Sequence, residues 1–199
     1  MVVAALSLTG CSLATHAGAA AVIGDVRFTD SALAAEYTSM VNAIPEGASP
    51  AGTASEMHRT IIQDFIYNTA LKQIAADLGT EVTPAEIKSV RQELEVKYGG
   101  EQGLIDVAAA GGTAPEAIDR TLETSLLFQA IGKKLEPAAD ETTQSTAANA
   151  KFMEYMASLS IEISPRYGEW NPETITIGDA TSGLSVTMEQ LLAQAAAEQ

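Results

Sequence analysis

The chain has 199 residues, 46% of them hydrophobic and 5% aromatic, which suits one folded domain and is too apolar for a disordered chain. Lys and Arg number 11 against 26 Asp and Glu, a formal net charge of -15 that repels phosphate backbones and excludes nucleic acid as an expected partner. Much of the hydrophobic share is alanine, which favours helix but buries little area, so spaced Leu, Ile, Val and a few rings must build the core of a mainly α-helical domain.

Residues 1–8 read MVVAALSL, an uncharged apolar stretch like the end of a secretory signal, and small residues follow. Leu8-Thr9-Gly10-Cys11 resembles the bacterial lipobox, in which the cysteine thiol takes a diacylglyceryl group before cleavage in front of it. Cys11 is the only cysteine, so it forms no internal disulfide, and modification or a free thiol is what remains. Residues 1–11 are therefore expected to be a signal-peptide end and lipobox, and residues 12–21 (SLATHAGAAA) a flexible tether. No Lys or Arg precedes the apolar run, so either the true start lies upstream of Met1 or the chain is trimmed; the competing reading of Cys11 is a lone cysteine in a frayed apolar terminus. Two acyl chains of the palmitate kind, at roughly 0.8 kcal/mol per buried methylene, suffice for stable anchoring. The expected location is outside the cytoplasm, tethered to the cell membrane by lipid. No later apolar run is long enough to span a bilayer as a helix.

Residues 22–199 are expected to form the domain. Residues 22–28 (VIGDVRF) place two short apolar pieces around Gly24-Asp25, a hairpin or extended strand. Thr29 should cap a helix carrying Leu33, Tyr37, Met40, Val41 and Ile44, stopped by Pro45-Glu46-Gly47. Thr53 and Glu56 form a capping-box pair for a long helix to Leu78, with Met57, Ile61, Phe65, Leu71 and Ile74 in one stripe. Thr83-Pro84-Ala85-Glu86 is the strongest local helix start, and that helix ends at Gly99-Gly100. A short helix over residues 104–110 closes at Gly111-Gly112. Thr113-Ala114-Pro115-Glu116 then repeats the capping device ahead of Ile118, Leu122, Leu126, Ile131 and Leu135. Residues 136–149 (EPAADETTQSTAAN) read as a polar linker or frayed helix start. Phe152, Tyr155, Met156 and Leu159 make an amphipathic turn, and Ile161-Glu162-Ile163 and Ile175-Thr176-Ile177 alternate as strands around the turn-rich residues 165–172. A last helix over residues 187–197 is compatible with the pattern.

The chemistry of enzymes is missing. His16 falls in the tether and His58 near a helix start, neither with a second His or Cys at ligand spacing, so no metal site is expected. No nucleophile elbow, phosphate-binding glycine loop or EF-hand pattern occurs. The abundant carboxylates read as a solvated acidic surface rather than an acid/base couple. Neither an enzyme nor a cofactor is expected.

The order of these elements resembles the amino-terminal domain of the SurA-like periplasmic chaperones. The resemblance rests on the hairpin feeding a helix at residues 22–33, the long helix after it, and Val82-Thr83-Pro84-Ala85-Glu86-Ile87 opening a helix that ends in Lys97-Tyr98-Gly99-Gly100. Leu104 and the run Gly111-Gly112-Thr113-Ala114-Pro115-Glu116 complete it. Pro165-Arg166-Tyr167-Gly168-Glu169-Trp170 looks like the returning carboxy-terminal strand of lipoprotein members from actinobacteria.

This resemblance implies a mainly α fold in which the first hairpin and carboxy-terminal strands form a small β element. It also implies a helical cradle for unfolded or extended polypeptides. Many members carry a parvulin prolyl isomerase domain after the last long helix. Residues 136–149 leave no room for a domain of about a hundred residues, so isomerase activity is not implied.

A tolerant peptide groove suits Met and aromatic side chains. The candidates are Met40, Met57, Phe65, Tyr98, Phe128, Phe152, Met156 and Trp170, although at helical spacing such residues are more often core. Arg166, Tyr167 and Trp170 could equally pin the carboxy-terminal strand on the first hairpin. The expected function is a membrane-tethered holdase; the alternative is an interaction or scaffold lipoprotein with one dedicated protein partner. A two-lobed solute-binding lipoprotein would need more strands and more length.

Overall fold

The computed structural model describes residues 17–179. Cys11 with its lipobox, His16 and the helix expected over residues 187–197 lie outside the described residues. Among those described, the chain is mainly helical with small antiparallel sheets.

Gly24 at φ 54 lets the chain reverse over Gly24-Asp25, so β1 (Ala19–Ile23) pairs with β2 (Val26–Thr29) in the register Ile23 to Val26 and Ala21 to Phe28. The strand begins earlier than its sequence suggests. Residues 19–21, expected to be the end of a tether, are buried in β1, with Ala20 wholly enclosed. Alanine has little strand preference of its own, but its small Cβ lets a central strand lie close beneath a helix.

Thr29 caps α1 (Asp30–Ala43), its hydroxyl accepting from the Ala32 amide at 3.1 Å. Two of the three expected capping devices form as boxes. Before α2 (Ala54–Asp77), the Thr53 amide donates to Glu56 at 2.7 Å and the Glu56 amide returns a bond to the Thr53 hydroxyl at 3.3 Å. Thr83 and Glu86 do the same for α3 (Pro84–Lys97), with Pro84 in the first turn. A left-handed Gly99-Gly100 pair then turns the chain into α4 (Glu101–Ala110).

The third capping device does not form. Ala114, not Thr113, stands at the start of a single 3₁₀ turn (Pro115–Ala117) and makes no side-chain cap. Glu116 instead accepts a hydrogen bond from the Ser39 hydroxyl of α1 at 2.6 Å. With Ala114 as the cap residue, Glu116 falls at the second position of the turn, out of the frame that a Thr113–Glu116 box needs.

α5 (Ile118–Leu135) and α6 (Glu141–Ser158) form a tight antiparallel pair. Residues 136–149 are therefore mostly helix, and only residues 136–140 connect the two. Asp140 caps α6 by accepting from the Thr143 amide at 2.8 Å, and Gln144 ties the connection down by donating to the Glu136 and Ala139 carbonyls. Gly132 on α5 explains the closeness: a Cβ there would lie 2.5 Å from the Gln144 carbonyl oxygen. The small, polar side chains that read as a linker permit this approach.

β3 (Ile161–Ile163) adds to the free side of β1, giving the sheet order β2-β1-β3 with Ala21 opposite Ile163. Of the carboxy-terminal strands among the described residues, β3 alone joins the hairpin. β4 (Glu169–Asn171) and β5 (Thr176–Gly178) form their own two-stranded sheet with Trp170 opposite Ile177. Ile175, expected in a strand, stands in the turn before β5. Tyr167 does pin this region to the hairpin end of the domain, its hydroxyl donating to Asp30 at 3.0 Å. Arg166 approaches the same carboxylate at 3.5 Å.

The main core lies where α2 crosses the sheet and the α5–α6 pair. It is built from Ile61, Ile62, Ile66 and Ile74 of α2 with Leu33, Phe28, Leu127, Ile131 and Ala148. A smaller cluster joins Met40, Met57, Ala114 and Ala117. No described helix is long and apolar enough to cross a membrane.

Candidate functional site

The residues singled out from sequence divide between interior and surface. Met40, Met57 and Met156 are buried in the two core clusters, so their flexible side chains fill space rather than coat a groove, and Phe152 is a largely buried member of the main cluster. Phe65 stacks on Phe28 with ring centroids 4.6 Å apart, joining α2 to the hairpin. Trp170 packs on the edge of the main core. Tyr98 lies just beyond α3, partly exposed, with the Lys97 ammonium over its ring. The exposed large apolar residues Val26, Val41, Val96, Tyr98, Val107 and Met153 are dispersed over five helices and strands and their ends.

Two of the nominated rings do come together. Phe128 of α5 and Phe152 of α6 wall a cleft of about 380 Å³ that is open to solvent on one side. Tyr67 and Leu71, one turn apart on α2, supply another wall, Met153 stands at the lip, and Thr174 and Ile175 close the end. Thr124, Ser125 and Asn149 line its margin, so the cleft is apolar within and uncharged at its rim. A second, somewhat more enclosed groove of about 600 Å³ lies between α3, α5 and α6, lined by Leu126, Phe128 and Gln129 together with the charged Glu86, Lys133 and Glu141. Phe128 lines both depressions.

Tyr67 organises the cleft's inner end. Its ring meets Phe152 edge-on at 5.1 Å, a favoured aromatic geometry. Its hydroxyl accepts from Gln63 Nε2 at 2.8 Å and donates to the Ile175 carbonyl at 2.9 Å. Burial raises the phenol's pKa above its ordinary value, with the nearby Asp64 adding to the shift, so the group remains a neutral donor.

Ile175 itself is strained. Its φ of 53 lies in the left-handed region, which costs an L-residue roughly 1–2 kcal/mol and is rarer still for a β-branched side chain. Burying an isoleucine side chain returns roughly 1.5–3 kcal/mol. At 3% exposure the burial outweighs the strain, and the turn holds.

Charged groups cluster deeper, between α1, α2 and α5. Arg120 pairs with the buried Glu36, and its Nε–H has no acceptor among the described residues. Asp64 faces this pair; its carboxyl is pushed up to about 6 by burial, with Glu36 adding repulsion and Arg120 opposing it. Asn68 bridges onward to Glu123 at 3.2 Å and Thr124 at 3.0 Å. None of Glu36, Asp64 or Arg120 lines the cleft. His58 stands between Tyr37, at 4.4 Å, and Tyr167, at 5.6 Å, and burial lowers its pKa. Among the described residues, no group of three or more His, Cys, Asp or Glu side chains is placed to hold a metal ion.

Sequence reasoning nominated Phe128 and Phe152 by residue type but missed Tyr67, Leu71, Met153 and Ile175. Tyr67 and Leu71 carry a signal in their four-residue spacing, which sets both on one face of α2. Ile175 carries none, since its alternation with Ile177 reads as a strand. Comparison with known proteins finds no family model, no curated protein and no solved structure that matches this chain.

Proposed function

We propose that the chain is an exported, lipid-anchored holdase that receives unfolded or newly translocated polypeptides in the Phe128 cleft, with no isomerase activity. The observation that carries this reading is the cleft itself: an apolar interior, an uncharged rim of Thr124, Ser125 and Asn149, and a second groove that shares Phe128. Such a site matches an extended chain, which offers apolar side chains and neutral backbone amides. The cleft also tolerates varied sequence, because few polar groups within it impose a pattern. The order of elements from the hairpin through α5 supports a SurA-like amino-terminal domain as the ancestry of this arrangement, and the lipobox at Cys11 supports a membrane location.

Suppression of aggregation of several unrelated unfolded proteins tests it. Wild-type protein should suppress and Phe128→Asp should not; no suppression by wild type at molar excess sinks the reading. Acyl labelling of wild type against Cys11→Ala tests the anchor, and an unlabelled wild type removes it.

One observation favours a narrower role. The exposed apolar residues outside the cleft are dispersed, so the contact area offered to a client is small. A scaffold lipoprotein with a single dedicated partner fits that economy of surface. Capture of the same one protein under every condition, without suppression of general aggregation, would identify it.

A further inference from the structure

Six methionines stand in the sequence, and the fold treats the described ones unequally. Met40, Met57 and Met156 are 0%, 5% and 2% exposed, closed off in the two core clusters. Met153 is 41% exposed and stands at the lip of the Phe128 cleft. The geometry of α6 makes this split. Phe152 and Met156, four residues apart, turn one face of the helix to the core, and Met153 lies a step of about 100° round from Phe152, at the mouth. Among the described residues, Met153 is therefore the one methionine that solvent reaches freely. A thioether has no charge state to tune, so its access to a dissolved oxidant sets how fast it is oxidised. The product sulfoxide is a polar group in place of a flexible apolar one.

We propose that Met153 is a reversible oxidation site that sets the grip of the cleft. The inference rests on the cleft being a polypeptide site and names how that site is regulated. Hydrogen peroxide transfers one oxygen atom to Met153 Sδ. The thioether gives up two electrons, the peroxide O–O bond breaks, a sulfur–oxygen bond forms and water leaves. The sulfoxide oxygen is a strong hydrogen-bond acceptor and holds water of its own. At the mouth of a cleft with an apolar interior and an uncharged rim, that water must be stripped before an apolar client side chain can pass. Oxidation thus weakens the hold on apolar segments while sparing the fold, because the methionines of the core stay closed to the oxidant. A dithiol-dependent sulfoxide reductase reverses the step: two thiols close to a disulfide and the oxygen departs as water.

Dilute hydrogen peroxide on the full chain, followed by peptide mass mapping, reads the site. Met153 should take up oxygen first, with Met40, Met57 and Met156 slower by about tenfold or more, since each waits on local opening of the core. Anisotropy titration with a fluorescein-labelled peptide of alternating Ile and Ser reads the consequence. The oxidised protein should bind about fivefold more weakly than the untreated one, the scale of one thioether contact. Met153→Leu, which keeps an apolar lip, should have the same affinity before and after peroxide. Met153→Gln should bind more weakly than wild type with no oxidant present. Oxidation of Met153 no faster than of the three buried methionines overturns the site. Selective oxidation with unchanged peptide affinity overturns the control and leaves the cleft standing, as does an equal loss of binding in peroxide-treated Met153→Leu. Absence of binding by untreated wild type overturns the cleft reading, and the control with it.

Discussion

Arg120 on α5 grips Glu36 on α1 through both terminal nitrogens, one of them at 3.1 Å, in a joint where the Glu36 side chain is only 9% exposed. A charge pair so placed is worth less for its attraction than for what its loss leaves behind, an unpaired carboxylate out of reach of water. Arg120→Met should therefore destabilise the domain by about 3–5 kcal/mol, whereas Glu36→Leu with Arg120→Met should restore most of it. Denaturant midpoints of the single and double variants measure this. A double variant as unstable as the single would show that the salt bridge itself, not the orphaned charge, carries the energy.

Asp64 responds in the opposite sense to removal of its charge. Its carboxyl titrates at about 6 in the folded protein against 3.8 ordinarily, so the folded state holds its proton more tightly than the unfolded chain does. The cost of ionising it is full above pH 6, falls as the pH drops through 6, and is gone below the unfolded value near 4. A shift of this size corresponds to about 2–3 kcal/mol at neutral pH. Asp64→Asn should stabilise the protein by about that amount at pH 7.5 and by nearly nothing at pH 4. Thermal unfolding of both proteins across that range checks the crossover; a constant difference at all pH values would contradict it.

The closeness of α5 and α6 predicts an intolerance at Gly132. Alanine there puts a methyl group 2.5 Å from the Gln144 carbonyl oxygen and 3.2 Å from its Cβ. Alanine is the better helix former by about 1 kcal/mol, but backbone cannot yield as a side chain does, and overpacking costs about 1–3 kcal/mol. The net effect of Gly132→Ala should be destabilising, read as a lower urea midpoint. A gain in stability would mean that α6 shifts freely on α5.

Two threonines in the same kind of sequence context should behave differently. Thr53→Ala removes a functioning capping box and should cost about 1 kcal/mol. Thr113→Ala removes a hydroxyl that caps no helix and should cost a few tenths of that. Equal losses at the two positions would show that Thr113 caps the 3₁₀ turn after all.

These contrasts show where sequence is informative. Thr53 with Glu56 and Thr83 with Glu86 were legible because each box closes within four residues. Thr113 with Glu116 has the same letters, but the turn starts one residue later, on Ala114, and Glu116 reaches Ser39 of α1 instead. Residues 19–21 and Ala148 were unreadable for a related reason: alanine becomes core or tether according to what packs on it, not through any preference of its own. Of the candidate site, sequence offered Phe128 and Phe152 as large apolar side chains. Their meeting with Tyr67, and the left-handed turn that carries Ile175 to them, depend on three helices and a distant loop converging.

The pairing of β1 with both β2 and β3 also sets a schedule. The sheet's central strand takes one neighbour from the start of the domain and the other from near its far end, Ala21 meeting Ile163. A chain that emerges amino terminus first, at a pore or a ribosome, can form the β1–β2 hairpin early but must hold the other side of β1 open until α6 has passed. Through that interval the buried alanines of β1 present an unpaired backbone edge. The molecule proposed to shelter unfinished chains is itself unfinished, along its central strand, for most of its own emergence.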